Sequence, residues 1–153
     1  MPSSTTSSDR RVLLVDDNEA MLGRMAATLA TEYVVVGTAR DGVSALDAAR
    51  RLDPDVIVLD VSMPGMSGLE VASRLRAMHS RAAIVFFTVH SEEAIVREAQ
   101  AAGGVGYVIK PRLHADLLRA IREALEGRTF TSPPTANRSN GTPSDPEPGR
   151  RAQ

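Results

Sequence analysis

The sequence predicts an α/β fold in which a parallel β-sheet is covered by helices on both faces. Three short apolar runs support this prediction, at residues 12–15, 56–59 and 107–109. Each run has the length of a strand and is bounded by turn or charged residues, which is typical of strands buried on both faces of a sheet. Helical patterns separate the runs, and this alternation favours parallel strands joined by helical crossovers.

The complete pattern alternates strand and helix five times. Two further strands are predicted, at residues 33–37, where β-branched side chains dominate, and at residues 84–89. Asp41 marks the start of the second helix, and Ser67 and Ser91 are suited to cap the third and fourth helices. The predicted apolar faces of the five helices, in chain order, are Leu22, Met25 and Leu29; Val43, Leu46 and Ala49; Val71, Leu75 and Met78; Ile95, Val96 and Ala99; and Leu117, Leu118, Ile121 and Leu125.

One domain accounts for the chain of 153 residues, with the folded unit expected at residues 10–130. The lead at residues 1–9 is rich in Ser and Thr and has nothing to bury. The tail at residues 131–153 is rich in proline and lacks large apolar side chains. We therefore expect both ends to be disordered.

The composition argues against several classes of protein. The chain has no cysteine, which excludes disulfides, thiolate catalysis and cysteine-based zinc sites. Its formal net charge of -1 provides no global field that attracts DNA or an anionic membrane. No segment has the apolar length of a signal peptide or a membrane span, so we expect a cytoplasmic protein.

Charged side chains follow all three apolar runs. Asp16 and Asp17 follow the first run, Asp60 the second and Lys110 the third. Taken singly, the acidic pair could cap a helix, Asp60 could be a turn residue and Lys110 could be a solvated surface residue. At one edge of a sheet, three carboxylates would repel one another unless a cation joined them, and Mg²⁺ favours oxygen ligands. Together these residues predict a magnesium-assisted phosphoryl-acceptor site.

The order and spacing of these residues resemble the receiver domain of bacterial two-component response regulators. The match covers roughly residues 11–127 and includes the motifs Met63-Pro64 and Ser67-Gly68 after Asp60. The resemblance implies a CheY-like, flavodoxin-like fold of five βα units, a three-layer sandwich whose five-stranded parallel sheet has the order 2-1-3-4-5. Residues 125–133 also resemble the linker before the helix-turn-helix of NarL/FixJ-type regulators, although we expect no such module in the short polar tail.

The resemblance also assigns roles at the predicted site. It implies that Asp60 accepts the phosphoryl group as an acyl phosphate, that Lys110 pairs with Asp60 and then with phosphoryl oxygens, and that Mg²⁺ is the cofactor. Asp17 and Asp60 would ligate the metal directly, and the backbone carbonyl of Ser62 would supply a third ligand. Asp16 would act mainly through water.

Thr88 and Tyr107 are the switch residues that the resemblance implies. Thr88 would move to bond the phosphoryl group, and Tyr107 would turn inward from an exposed position to fill the vacated space. Hydrogen bonds to a charged group contribute roughly 1.5–3 kcal/mol each, so bonds from Thr88 and Lys110 come near the about 5.5 kcal/mol that moves an equilibrium from 1:99 to 99:1. The family pattern also implies a cis peptide bond between Lys110 and Pro111.

Three further residues are expected to tune access to the acceptor. Val89 stands where the family usually has a small residue, so we expect slow labelling of Asp60 by small phosphodonors and slow self-hydrolysis of the product. Ser62 and His90 are expected to flank the path of the hydrolytic water.

The leading hypothesis is a phosphorylation-controlled switch, a phosphoprotein of a two-component system and not an enzyme. A sensor histidine kinase or a phosphotransfer protein would phosphorylate Asp60. The face formed by the fourth helix, the fifth strand and the fifth helix would then change its affinity for an output protein or for a second copy in a homodimer. As a stand-alone receiver, the chain would bind neither DNA nor membrane directly.

Two alternatives remain open. The chain could be the receiver of a DNA-binding transcriptional regulator that has lost, or been cut from, its helix-turn-helix domain, which the linker-like residues 125–133 favour. An aspartate-nucleophile phosphatase is less favoured, because such an enzyme needs a general acid near the nucleophile and a substrate-recognition cap. Ser62 occupies the position two residues after Asp60, and no insertion is long enough to form a cap.

Overall fold

A computed structural model describes residues 9–133 of the chain. Strand and helix alternate as the sequence predicts, and a 3₁₀ turn joins the fifth strand to the last helix. The disorder predicted for residues 1–8 and 134–153 concerns residues outside the described part. The elements are β1 (Arg11–Val15), α1 (Glu19–Leu29), β2 (Val34–Ala39), α2 (Gly42–Leu52), β3 (Val56–Leu59), α3 (Gly68–Ala77), β4 (Ala83–Thr88), α4 (Glu93–Ala101), β5 (Gly104–Ile109), α5 (Leu113–Leu125) and β6 (Phe130–Thr131), with the 3₁₀ turn at Lys110–Arg112.

The strands form one sheet of order β2-β1-β3-β4-β5-β6. Every adjacent pair in this sheet is parallel. The flavodoxin-like fold class and the predicted order of the first five strands are confirmed. The sixth strand was not predicted, and it lies at the edge of the sheet beside β5.

Helices cover the sheet on both faces and divide the core into two layers. One layer contains α1 and α5, and the other contains α2, α3 and α4. Side chains alternate between the layers, so that in β1 Val12 and Leu14 face the first layer and Leu13 and Val15 face the second. This period of two explains why the central strands are apolar throughout. Within residues 9–133, no helix has the length and hydropathy that crossing a membrane would require.

The observed N-cap residues agree in part with those predicted from the sequence. Ser67 caps α3 as predicted, since its hydroxyl accepts a hydrogen bond from the backbone N–H of Glu70 at 3.2 Å. The prediction that Ser91 caps α4 is wrong. The cap residue is Glu92, whose backbone is extended and whose carbonyl accepts from the N–H groups of Ile95 and Val96, with no side-chain cap.

Two predicted apolar faces need correction, whereas the face of α1 is confirmed. Val43 of α2 is 71% exposed, because the helix lies on the sheet with its small residues, including Ala45 and Ala48. These alanines have the same helical spacing as the larger side chains and permit a closer approach to the sheet. Met78 is exposed because α3 ends at Ala77.

The boundary predicted at the C-terminal end is wrong for residues 131–133. Thr131 belongs to β6, and Ser132 is buried. Hydrogen bonds with the open edge of β5 hold this segment, which explains why it needs no large apolar side chains. At the other end, Asp9 was assigned to the disordered lead and lies among the described residues.

The predicted cis bond before Pro111 is also wrong, because residues 9–133 contain no cis peptide bond. Pro111 lies in the first positions of the 3₁₀ turn. There its fixed φ suits the helical backbone and its missing N–H costs nothing, so the ordinary trans form is retained.

Candidate functional site at the carboxyl edge of the sheet

Three aspartates meet where the neighbouring strands β1 and β3 end. β1 ends at Val15, directly before Asp16 and Asp17, and the neighbouring β3 ends directly before Asp60. One carboxylate oxygen from each aspartate lies within 4.8 Å of the others. Asp16 and Asp60 are buried, and Asp17 is half-buried. The structure therefore brings together the acidic residues that the sequence singled out.

Lys110 completes this cluster from the end of β5. Its Nζ lies 2.7 Å from Oδ2 of Asp16 and 3.2 Å from Oδ2 of Asp60. Burial alone would lower the pKa of Lys110, but the hydrogen bond to Asp16 and the charges of both carboxylates raise it. Lys110 is thus a mostly buried cation that keeps its charge beside the two buried carboxylates.

The pKa of Asp60 is raised above its ordinary value. Burial is the largest cause and the charge of Asp16 adds to it, while the charge of Lys110 and its hydrogen bond act in the opposite direction. The ionised form of Asp60 is therefore held at an energetic cost, because it is buried and shares the single positive charge of Lys110 with Asp16.

Backbone donors orient the two buried carboxylates. The N–H of Asn18 donates to Oδ1 of Asp16 at 2.9 Å, and the N–H of Ser62 donates to Oδ1 of Asp60 at 3.2 Å. Asn18 also caps α1, since its side chain accepts from the N–H of Met21. The capping role considered for the acidic pair therefore belongs to Asn18. This role of Asn18 was not predicted, although an Asn directly before a helical pattern is a recognised signal.

The loop after Asp60 folds back on the acceptor through Gly68. The N–H of Gly68 donates to the carbonyl of Val61 at 2.8 Å. A Cβ atom at Gly68 would lie 2.0 Å from the backbone oxygen of Asp60, a distance that only glycine avoids. Gly68 was predicted only as part of a motif, because the close approach depends on how the loop returns to the strand.

The two predicted switch residues lie close to His90. Thr88 is fully buried at the end of β4, and its Oγ1 accepts from the N–H of His90 at 3.3 Å. The hydroxyl of Tyr107 donates to the carbonyl of His90 at 2.8 Å. Burial, followed by the charge of Glu92, raises the pKa of Tyr107 to about 12, so this hydroxyl stays protonated at neutral pH.

The expected exposed position of Tyr107 is not observed in this structure. Its side chain is buried, with its ring centroid 6.4 Å from that of Phe86. The hydrogen bond to His90 satisfies the only polar group of the ring system, which makes the inward position favourable.

Ser62, His90 and Val89 lie on the loops that follow β3 and β4. Oγ of Ser62 lies 2.6 Å from Nε2 of His90, which joins the two loops, and Nδ1 of His90 lies 3.6 Å from a carboxylate oxygen of Glu92. Val89 is 65% exposed. Ser62 is thus fixed to His90 as well as to Asp60, a contact that the sequence did not predict.

The acidic cluster suits a hard divalent cation. All three side chains offer carboxylate oxygens, the donors that Mg²⁺ prefers, and Lys110 neutralises only part of their charge. Asp16, Asp17 and Asp60 could therefore hold such an ion.

Comparison with known proteins identifies a family. The model of the family described as the response regulator receiver domain matches residues 12–122. The chain is 37% identical over 123 residues to the nitrate/nitrite response regulator protein NarL of Escherichia coli K12, an alignment that covers 79% of this chain and 57% of NarL. It is 32% identical over 116 residues to the chemotaxis protein CheY of Halobacterium salinarum, covering 76% of this chain and 97% of CheY.

Solved structures agree with this assignment. The signal receiver domain of the putative response regulator NarL from Mycobacterium tuberculosis is 31% identical, with a TM-score of 0.75 over 79% of this chain and 99% of that domain. A LuxR-family two-component response regulator from Aurantimonas sp. SI85-9A1 is 34% identical, with a TM-score of 0.79 over 82% of this chain and 91% of that structure. The chain spans little more than half the length of the Escherichia coli NarL, and it belongs to the response regulator receiver domain family.

Proposed function

We propose that this chain is a signalling switch controlled by phosphorylation of Asp60, rather than an enzyme acting on a separate substrate. One observation carries the proposal. Asp60 is 3% exposed, its Oδ2 lies 3.2 Å from Nζ of Lys110, and two more carboxylates lie beside it. A buried acid held beside a buried cation at a strand end is costly for folding, which is typical of residues retained for chemistry.

In the proposed transfer, the donor is the phosphohistidine of a sensor histidine kinase or of a phosphotransfer protein. A carboxylate oxygen of Asp60 forms a bond to phosphorus as the bond between phosphorus and the imidazole nitrogen breaks, and the electron pair of that bond returns to the imidazole. Lys110 is placed to balance the negative charge on Asp60 before transfer and on the phosphoryl oxygens afterwards.

Magnesium is the cofactor in this proposal. Asp17, Asp60 and the backbone carbonyl of Ser62 would hold the ion directly, and Asp16 would act through water. When bound, the metal offsets the repulsion between the carboxylates and the incoming phosphoryl group. Asp16 is already paired with Lys110 at 2.7 Å, which supports an indirect role for it.

The proposed switch runs through Thr88 and Tyr107. Both residues bond to the backbone of His90, so a Thr88 hydroxyl drawn towards a phosphoryl group would give up its bond to the N–H of His90. That change would reach the face formed by α4, β5 and α5. Among the residues of α4 only Ala99 is buried, which leaves this helix weakly anchored and suited to move or to bind a partner.

The partner that reads this face is an output protein or a second copy of the chain. Similarity to the probable transcriptional regulatory protein NarL of Mycobacterium tuberculosis, 58% of which the chain covers, supports a second version, in which the chain acts as the receiver of a DNA-binding regulator. The chemistry at Asp60 is the same in both versions.

The proposal is tested by phosphorylation with acetyl phosphate, read by intact mass. We expect one phosphoryl group to be added in the presence of Mg²⁺ and none in EDTA or in Asp60→Asn. Asp47→Asn is the matched control, because Asp47 is an exposed carboxylate on α2 whose loss should leave labelling intact.

Because Val89 is expected to slow small donors, the same sample is also tested for binding of beryllofluoride, which mimics a phosphoryl group. A chain that neither accepts phosphate nor binds beryllofluoride would not be a phosphorylation switch.

A further inference from the structure

The outer edge of β5 pairs with a short segment of the same chain. We call residues 130–133 the edge segment. Its strand, β6, pairs in parallel with β5 through Phe130 opposite Gly106 and Thr131 opposite Tyr107. A strand of two residues has too little pairing to be stable by itself, so other contacts must hold the segment in place.

Ser132 supplies those contacts. Its N–H donates to the carbonyl of Tyr107 at 2.8 Å, and its hydroxyl donates to Oδ2 of Asp116 at 2.6 Å. The same hydroxyl accepts from the N–H of Ile109 at 3.3 Å. Ser132 is only 7% exposed, and both its backbone N–H and its hydroxyl have partners. One small residue therefore joins the segment to β5 and to α5.

Asp116 accepts the hydrogen bond from the Ser132 hydroxyl. It is 4% exposed in the first turn of α5, and Nε of Arg112 lies 2.6 Å from its Oδ2. Burial raises the pKa of this carboxyl, but the hydrogen bonds from Arg112 and Ser132 outweigh it and lower the pKa overall. An ionised acceptor makes a stronger hydrogen bond to a hydroxyl than a neutral acceptor does.

The edge segment contacts α5 on one side and leaves a cavity between itself and α4 on the other side. On one side, the ring of Phe130 lies 5.2 Å from the guanidinium of Arg119 on α5. On the other side, a cavity of about 390 Å³ separates the segment from α4 and is lined by Val96, Ile109 and Thr131. A segment that is held by hydrogen bonds and leaves such a gap resembles a docked peptide more than a core strand.

We propose that the edge of β5 is a strand-acceptor site, that Asp116 recognises a serine hydroxyl there, and that the chain's own edge segment occupies this site in cis. The inference rests on the proposed function in one respect, because this edge belongs to the face formed by α4, β5 and α5. A partner that pairs with β5 must displace the segment first.

A partner strand displaces the edge segment with difficulty, because the segment is covalently tethered to α5. Only residues 126–129 separate the end of α5 from β6. A short tether gives its ligand an effective concentration in the range of about 1 mM, which an untethered strand has to overcome. The segment thus acts as a competitive occupant that excludes weak partners from the edge.

The first test is amide hydrogen exchange by NMR on the full chain without any phosphodonor. In Ser132→Ala the amides of Ile109 and residue 132 should exchange about tenfold faster or more, because the first loses its acceptor and the second its anchor. The amides of β3 serve as an internal reference for global stability. Thr131→Val is the matched control, since it removes an exposed hydroxyl that anchors nothing to β5 or α5 within residues 9–133 and keeps the β-branched side chain.

The second test supplies the segment in trans. A fluorescent peptide with the sequence of residues 126–135 should bind the Ser132→Ala chain about tenfold more tightly than the wild type or Thr131→Val, whose edges are occupied. Binding should be lost when the peptide carries Ala in place of Ser132, and when the receptor carries both Ser132→Ala and Asp116→Asn.

Equal exchange at Ile109 in wild type and Ser132→Ala, or peptide binding indifferent to the serine, would overturn the strand-acceptor site. Neither readout needs a phosphoryl group, so the same measurements in Asp60→Asn should give the wild-type pattern. A failure of phosphorylation would therefore leave this inference standing, and a failure of docking would leave the phosphorylation proposal standing.

Discussion

The proposed attack on phosphorus requires the ionised form of Asp60, yet burial in its surroundings raises the pKa of this carboxyl. Burial and the charge of Asp16 raise the pKa of Asp60, and Lys110 compensates only in part. A carboxyl whose pKa is higher in the folded state than in the unfolded state binds its proton more tightly when folded. Ionisation of Asp60 therefore destabilises the fold, and this cost is present above the raised pKa.

Asp60→Asn should stabilise the metal-free protein at pH 7. Removing a strained buried charge and keeping the side-chain volume should raise the free energy of unfolding by about 1 kcal/mol, which corresponds to roughly 4 °C in Tm. The advantage should shrink as the pH falls through the raised pKa of folded Asp60 and should vanish below the unfolded value for aspartate, where Asp60 is protonated in both states. Thermal unfolding in EDTA between pH 4 and pH 8 measures this difference.

Asp47→Asn is the control for this prediction, because Asp47 is exposed and its loss should change stability little. A variant Asp60→Asn that is less stable than wild type at pH 7 would mean that the pair with Lys110 outweighs the cost of burial.

A second prediction for a single residue concerns Val89 and the access of small molecules to Asp60. It follows Thr88 directly and is 65% exposed, so its removal should cost little stability. Val89→Ala should accelerate both labelling by acetyl phosphate and loss of the phosphoryl group, because a smaller side chain leaves more room for small molecules. Time courses of intact mass give both rates. Val43→Ala is the matched control on α2, with its side chain 71% exposed, and unchanged rates in Val89→Ala would refute an access role.

Among the elements, α3 is the one whose start is tied to the acceptor. Its first residue, Gly68, bonds to the carbonyl of Val61 and leaves no space for a Cβ atom beside the backbone of Asp60. Gly68→Ala should lower the free energy of unfolding by about 2–3 kcal/mol, because the clash is with backbone that cannot rotate away. It should also reduce labelling of Asp60, since the loop that carries the acceptor has to shift.

Gly23→Ala is the matched control for Gly68. Gly23 lies inside α1, and the position that a Cβ atom would take there has nothing within 4 Å, so alanine should stabilise this helix by roughly 0.5–1 kcal/mol. Urea unfolding of both variants measures the contrast. Equal effects of the two substitutions would show that the approach to Asp60 has no special role.

Elements were predictable from the sequence where the physical signal is local. The strand β3 is buried on both faces, so its run of four apolar residues predicts it. The charged residues that follow β1, β3 and β5 predict a site at the carboxyl edge of the sheet. On α2 the prediction was right for Ala49 and wrong for Val43, because the buried face is formed largely by alanines, whose weak apolar signal did not place it. The strand β6 was missed because hydrogen bonds to a neighbouring edge hold it, and no pattern in its own residues encodes them.

Residue type and position alone predicted the charged residues of the site, and the family resemblance added neutral residues such as Thr88 and Tyr107. Asp16, Asp60 and Lys110 follow apolar strands and therefore stand out. The contacts that Asn18 and His90 make depend on the path of loops through space, and residue type alone does not report that path.

At the scale of the whole molecule, the unbalanced charge of the acidic cluster links folding to metal binding. Any ion that binds the folded state and not the unfolded chain raises the free energy of unfolding by RT ln(1 + [L]/Kd). The cluster has its three carboxylates assembled only in the folded state, because Asp60 is far in sequence from Asp16 and Asp17. The predicted stabilisation is about 2.7 kcal/mol when Mg²⁺ is at a hundred times its Kd.

Stability should therefore rise with Mg²⁺ concentration in the wild type and fall back when EDTA removes the ion. Asp17→Asn should abolish most of this dependence, because Lys110 pairs with the other two cluster carboxylates and no lysine within residues 9–133 pairs with Asp17. Asp47→Asn should keep the full dependence, which separates a specific site from general screening by salt. Thermal unfolding at constant ionic strength measures all three proteins. If Asp17→Asn responded to Mg²⁺ as the wild type does, the acidic cluster would not be the metal site, and the charge of its three carboxylates would have to be balanced within the protein.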